Sequence, residues 1–83
     1  MNTAGVMAQI RVSGTVTDSK KEPLIGVNVT VSGSKSGTIT DFDGKYSLQA
    51  PDNKSVIVFS YIGYKTIERT VGNSGVINMI LEE

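Results

Sequence analysis

The segment TITDFDGKYSLQA, Thr38 to Ala50, has two competing readings, and the choice between them decides the fold. Asp41-Phe42-Asp43-Gly44 has the beginnings of a calcium loop, with two carboxylates and a glycine in four residues. It also has the composition of a tight turn between strands. A calcium loop of the EF-hand type spaces oxygen ligands over about twelve residues and ends in a bidentate glutamate. With Asp41 as position one, position five is Lys45, position twelve is Asp52, and the glycine falls at four rather than six. A lysine ammonium in the ligand ring would repel a divalent cation. As a turn, the stretch makes sense: aspartate bonds the backbone two residues on, and glycine supplies a positive φ. It therefore reads as a hairpin, between a short strand over Thr38 to Asp41 and another over Lys45 to Gln49 that points Tyr46 and Leu48 the same way.

The same period of two extends in both directions. Ile10, Val12, Gly14 and Val16 share one face of a strand against Arg11, Ser13, Thr15 and Thr17. Asp18 to Pro23 is a polar loop, and Leu24 and Ile25, outside the alternation, are expected to plug one end of a core. Val27, Val29 and Val31 point inward again. Ser55 to Tyr61 is almost continuously apolar, as in a central strand covered on both sides. Tyr64 to Val71 and Val76 to Leu81 complete the series, with turn signals every eight to twelve residues and no helical spacing anywhere. The pattern predicts an all-β fold, a seven-stranded antiparallel Greek-key β-sandwich of prealbumin-like or Ig-like type, with a small closed barrel as the alternative.

Eighty-three residues make one domain, placed at 9–82. The first eight, MNTAGVMA, do not alternate. Val6-Met7-Ala8 before Gln9 fits the end of a secretory signal, so 1–8 is read as a disordered leader, a signal stub or a cloning residue. No apolar run reaches the roughly 18–20 residues a membrane helix needs.

The chain contains no cysteine and no histidine, which excludes disulfides, Ser-His-Asp and Cys-His relays and the usual zinc sites. Eight basic residues balance eight acidic ones, and the only adjacent basic pair, Lys20-Lys21, lies between Asp18 and Glu22. No basic stripe marks a nucleic-acid binder. The acids fall in turns, at the chain end or, for Glu68, on a wet strand face, and no spacing singles out a serine–lysine nucleophile. A Lys–Asn isopeptide bond is also disfavoured: the inward positions of the first strand hold no lysine to face Asn78. No catalytic residue, metal site or cofactor is expected. Five aromatics are available; Phe59 and Tyr46 read as core, Tyr61 and Tyr64 as partly exposed, and Phe42 as the most exposed ring. One exposed ring is a contact point rather than a sugar-binding platform. Candidate partner contacts are Phe42, Tyr61, Tyr64, Lys20 and Lys21.

Together, VSGTVTDSKKEPLIGVNVTVSGSKSGTITDFDGKYSL and APDNKSVIVFSYIGYKT resemble the carboxypeptidase-D regulatory-like domain, a transthyretin-like or prealbumin-like sandwich. The resemblance covers residues 10–81 and rests on Gly14, Val16, Asp18, Pro23, Leu24, Gly26, Val27, Val29, Gly37, Thr38, Thr40, Asp41, Asp43, Gly44, Tyr46, Leu48 and Ser60 to Tyr64. PLIGVNV with SYIGYKT is similar to the N-terminal extension of SusC/RagA-like TonB-dependent outer-membrane receptors of Bacteroidetes. That resemblance implies a non-catalytic accessory domain on the periplasmic side of the outer membrane, in an importer of glycans or peptides. The implied partners are the plug and barrel of its own receptor and a periplasmic or inner-membrane energy-coupling protein. The isolated domain would be soluble and monomeric. A stand-alone carbohydrate-binding module, or an appendage of a secreted peptidase or adhesin, are the competing expectations.

Overall fold

A computed structural model describes residues 9–83, so the reading of 1–8 as a leader lies outside the described residues. Alternating apolar side chains build seven strands: β1 (Ile10–Thr17), β2 (Asn28–Val31), β3 (Gly37–Ile39), β4 (Lys45–Ala50), β5 (Val56–Ser60), β6 (Ile67–Thr70) and β7 (Met79–Ile80). They form two sheets, ordered β4-β1-β7 and β3-β2-β5-β6. The predicted two-sheet sandwich is thus what forms, and its strand order is compatible with a Greek key. The inward set is as the alternation requires: Val12, Val16, Val27, Val29, Val31, Tyr46, Leu48, Ile57, Phe59, Ile77, Met79 and Leu81 are all buried. At about 1.5–3 kcal/mol for each fully buried large apolar side chain, this shared core is the main cohesive term.

Several local expectations are corrected. Successive strands run alternately up and down, so the first and seventh run the same way, and as neighbours in one sheet they pair in parallel (Val16 opposite Met79). The antiparallel expectation holds for the other four pairings. Asp41–Gly44 is a turn but not a hairpin, because β3 and β4 belong to different sheets. Thr40 still bonds Val27 on one sheet, whereas the Gly44 carbonyl already accepts from Val16 N on the other. β5 is central in its sheet but covered on one face only: Ile57 and Phe59 are buried, Val56 and Val58 half-buried. Leu24 packs against the core as expected, but Ile25 is half-exposed. Leu24 N is held by the Val16 carbonyl and Gly26 N by the Thr40 carbonyl, which leaves Ile25 on the outward side of the chain.

One buried polar arrangement closes the smaller sheet. The ladder between β1 and the chain leading into β7 is interrupted after the Ser13–Val76 bridge. There the Ile77 carbonyl turns toward the core and accepts a 2.7 Å hydrogen bond from the Tyr46 hydroxyl. Asn78 Oδ1 takes the vacated ladder position, accepting from Thr15 N at 2.9 Å. Gly14 makes this possible, since a Cβ there would sit 1.9 Å from the Ile77 oxygen. Tyr46 also meets Phe59 edge-on, with ring centroids 5.6 Å apart, so its ring joins the two sheets.

Burial pushes the Tyr46 phenol from 10.0 up to about 12. The folded chain holds that proton more tightly than the unfolded chain, so the associated stability is intact below pH 10 and lost as pH rises toward 12. Denaturant melts across this window should show a steep alkaline decline that Tyr46→Phe flattens. At neutral pH, Tyr46→Phe should itself cost about 1–3 kcal/mol, the penalty for a buried carbonyl left without its donor. An unchanged alkaline profile in the variant would count against the arrangement.

Candidate functional site

The up-and-down course of the chain sorts its loops. The β1–β2 loop (18–27), the β3–β4 turn (40–44), the β5–β6 turn (61–66) and residues 81–83 all lie at the end of the sandwich where β1 finishes. The remaining connections, 32–36, 51–55 and 71–78, start at or near the opposite end. All five expected contact residues fall in the first group: Lys20 and Lys21 in one loop, Phe42 in the second, Tyr61 and Tyr64 in the third.

Two of these loops are the same device. Asp41 Oδ1 accepts from Asp43 N and Lys45 N, both at 2.9 Å, while Gly44 N donates to the Asp41 carbonyl and Asp41 N to the Lys45 carbonyl. Asp18 Oδ1 accepts from Lys20 N (2.8 Å) and Glu22 N (2.9 Å), while Lys21 N donates to the Asp18 carbonyl and Asp18 N to the Glu22 carbonyl. Each aspartate carboxylate is thus engaged by backbone amides. The fourth residue of each turn is left-handed, Gly44 at φ 74° and Lys21 at φ 69°. The turns abut: a Cβ on Gly44 would sit 2.5 Å from the Val16 carbonyl oxygen and 3.0 Å from Pro23 Cβ. Beneath them the buried Thr40 hydroxyl accepts from Val27 N at 3.0 Å and donates to the Leu24 carbonyl.

In the third loop, Tyr64 N donates to the Tyr61 carbonyl at 3.0 Å, and Gly63 has φ 86°, the geometry of a type II turn. Ile62 is carried at its tip and is 92% exposed. Tyr61 and Tyr64 are half-buried against the core, rings 5.5 Å apart and tilted by 45°. Lys65 N bonds the Glu82 carbonyl at 2.7 Å, tying this loop to the end of the chain. Between them lies an open pocket of about 390 Å³ lined by Asp18, Ser19, Lys20, Tyr64 and Leu81 to Glu83. Desolvation first, then the charges of Glu83 and Asp18 and the neighbouring Tyr61, raise the Tyr64 pKa above its ordinary value.

The structure therefore brings the five residues to one end but at different depths. Phe42 is 82% exposed and Lys20 and Lys21 are exposed, whereas the two tyrosines are half-buried against the core. Two apolar members escaped the sequence reading, Ile62 and Ile25 (50% exposed). The signal for Ile62 was present in Tyr-Ile-Gly-Tyr, whose glycine sets a type II turn and leaves the preceding residue at its tip. Among the described residues, no three His, Cys, Asp or Glu side chains are placed to hold a metal. Tilted, half-buried tyrosines also do not make a flat sugar platform.

A model of the CarboxypepD_reg-like domain matches residues 12–83. The chain is 47% identical over 75 residues to the TonB-dependent receptor SusC of Bacteroides thetaiotaomicron and 44% identical over 75 residues to the TonB-dependent receptor P39 of Formosa agariphila. Each alignment covers 90% of this chain and 7% of the receptor, so the chain spans a small part of the relatives it matches. Among solved structures, a chain of a type II cohesin–X–dockerin complex from Acetivibrio cellulolyticus superposes with a TM-score of 0.67, covering 87% of this chain and 56% of that one. At 17% identity this is a likeness of fold.

The twin turns make a paired prediction. Lys21→Gly should stabilise the chain by about 0.5–1 kcal/mol, because only the left-handed φ is relieved. Gly44→Lys should destabilise it by about 2 kcal/mol or more, because the φ penalty is joined by a clash with backbone. Urea melts of both variants test this; equal and opposite shifts would show that the two turns are not packed as described.

Proposed function

This chain belongs to the CarboxypepD_reg-like domain family, and on that premise we propose that it is a non-enzymatic docking module of a TonB-dependent receptor. It would work on the periplasmic side of the outer membrane, in a receptor that imports glycans or peptides, and would hold to the body of that receptor through the end bearing Ile25, Phe42 and Ile62. One observation carries the reading. Three separate loops each raise an exposed apolar side chain at one end of the sandwich, the end where Leu81 to Glu83 also lie. Identity of 43–47% to TonB-dependent receptors supports a parent protein of that class. An energy-coupling protein of the periplasm or inner membrane would be a second contact of the same surface.

Magnitudes favour an attached module over a free binder. Covering a few partly exposed apolar side chains gains a few kcal/mol, about a millimolar dissociation constant on its own. A short tether supplies an effective concentration of about the same size, so contact becomes appreciable only when module and partner share a chain. Formal charge is zero, so long-range steering contributes little.

Photo-crosslinking amino acids placed at Phe42 and Ile62 in the full-length receptor should yield adducts with the receptor body or a periplasmic protein. The same probes at Gly33 and Asn53, at the opposite end, should not. Adducts confined to the opposite end would sink the proposal.

A further inference from the structure

We propose that the free edge of β4 is a strand-accepting site. It takes one extended polypeptide segment with apolar residues at alternate positions and carboxylates at the positions between. This surface is separate from the apolar end and adds a second, hydrogen-bonded contact to the docking reading.

Backbone geometry identifies the site. The Gly44 carbonyl points at β1, where it accepts from Val16 N, and the Lys45 N–H and carbonyl point the other way, to Asp41. Backbone groups of successive strand residues face opposite sides, so Tyr46, Leu48 and Ala50 bond β1. Ser47 and Gln49 then direct their N–H and carbonyl groups outward, two donors and two acceptors at the spacing an added strand requires.

The other edges are blunted in the usual ways. β3 has three residues, β7 has two, and β6 has four with Glu68 and Arg69 exposed at its middle. β4 is six residues long, keeps an unbroken register from Ile10–Ala50 to Thr15–Lys45, and contains no proline and no bulge. Beside it, where the two sheets part, is an open groove of about 340 Å³ lined by Thr38, Ile39, Asp41, Lys45, Tyr46 and Ser47. Ile39, 60% exposed, gives this groove an apolar wall, which suits apolar side chains on the inner face of an added strand. On the solvent face of the β4–β1 pair stand Arg11, Lys45, Ser13, Ser47, Thr15 and Gln49: two cations and no carboxylate. Lys45 has uncharged Thr15 as its cross-strand neighbour, so the charge complement must come from the incoming strand.

The probe is an alternating valine–glutamate octapeptide, with its valine–lysine counterpart as control, titrated into the isotope-labelled 83-residue chain. The acidic peptide should shift and protect the amides of Ser47 and Gln49, and the basic one should bind at least about fivefold more weakly. Ser47→Pro removes only an outward N–H, which an edge strand tolerates, and should weaken binding at least about tenfold. If that variant does not fold, Lys45→Glu decides: it leaves one charge of each sign on the face and should abolish the preference between the peptides. Shifts confined to Ile25, Phe42 and Ile62, no binding at millimolar peptide, or undiminished binding by folded Ser47→Pro would each overturn the inference. None of these results bears on crosslinking from Phe42 and Ile62, so the edge site and the docking end fail independently.

Discussion

The Ile77 carbonyl occupies the place of a side chain that Gly14 does not have. A strand residue with any Cβ at that point would push the last segment off β1, since the oxygen lies 1.9 Å from where the Cβ would be. The carbonyl is buried there, and a buried acceptor without a donor costs about 1–3 kcal/mol, so the Tyr46 hydroxyl is as necessary as the glycine. Asn78 repairs the ladder that the inward turn of Ile77 breaks. Four residues from three distant parts of the chain thereby fix β7 against β1, and Met79 and Leu81 enter the core as a consequence.

Fixing β7 parallel to β1 decides which segments share an end. With seven alternating strands, β7 finishes at the end where β1 finishes, beside the three loops that carry Ile25, Phe42 and Ile62. Two of those loops are aspartate-bonded turns packed against each other, and the third is a glycine-set turn tied to Glu82. The apolar tips stand on hydrogen-bonded turns, which would lower the conformational entropy lost on covering them. At the opposite end, 32–36 and 51–55 are polar turns, and Val76, 57% exposed, stands further along the connection 71–78. The proposed tethered module would use the end where three loops raise apolar tips together.

Much of this was legible in the residues. Period-two alternation gave the inward face of nearly every strand, because burial of one sheet face leaves no other arrangement for Val27, Val29 and Val31. The Asp41 turn was legible from its lysine and its early glycine. What could not be read was anything set by pairing between distant segments. Asp41–Gly44 joins two sheets only because Thr40 bonds Val27 while Gly44 bonds Val16, and no local signal distinguishes that from a hairpin. Lys21 gave no hint of its left-handed φ, since it takes the place glycine holds in the twin turn. Gly14 and Tyr46 were visible as members of a family pattern, but their shared reason, the Ile77 carbonyl, lies more than thirty residues away from either. At the end where the candidate contact residues lie, their depth could not be read: Ile62 stands exposed at a turn tip, while the tyrosines around it are half-buried.

The central claim is that one end of the sandwich meets the receptor body and the other does not. Amide hydrogen exchange, compared between the isolated chain and the full-length receptor, measures both ends at once. The account predicts slowed exchange in the receptor at 18–27, 40–44 and 61–66, with 32–36 and 51–55 unchanged. Equal exchange at both ends in the two forms, or protection confined to 32–36 and 51–55, would contradict it.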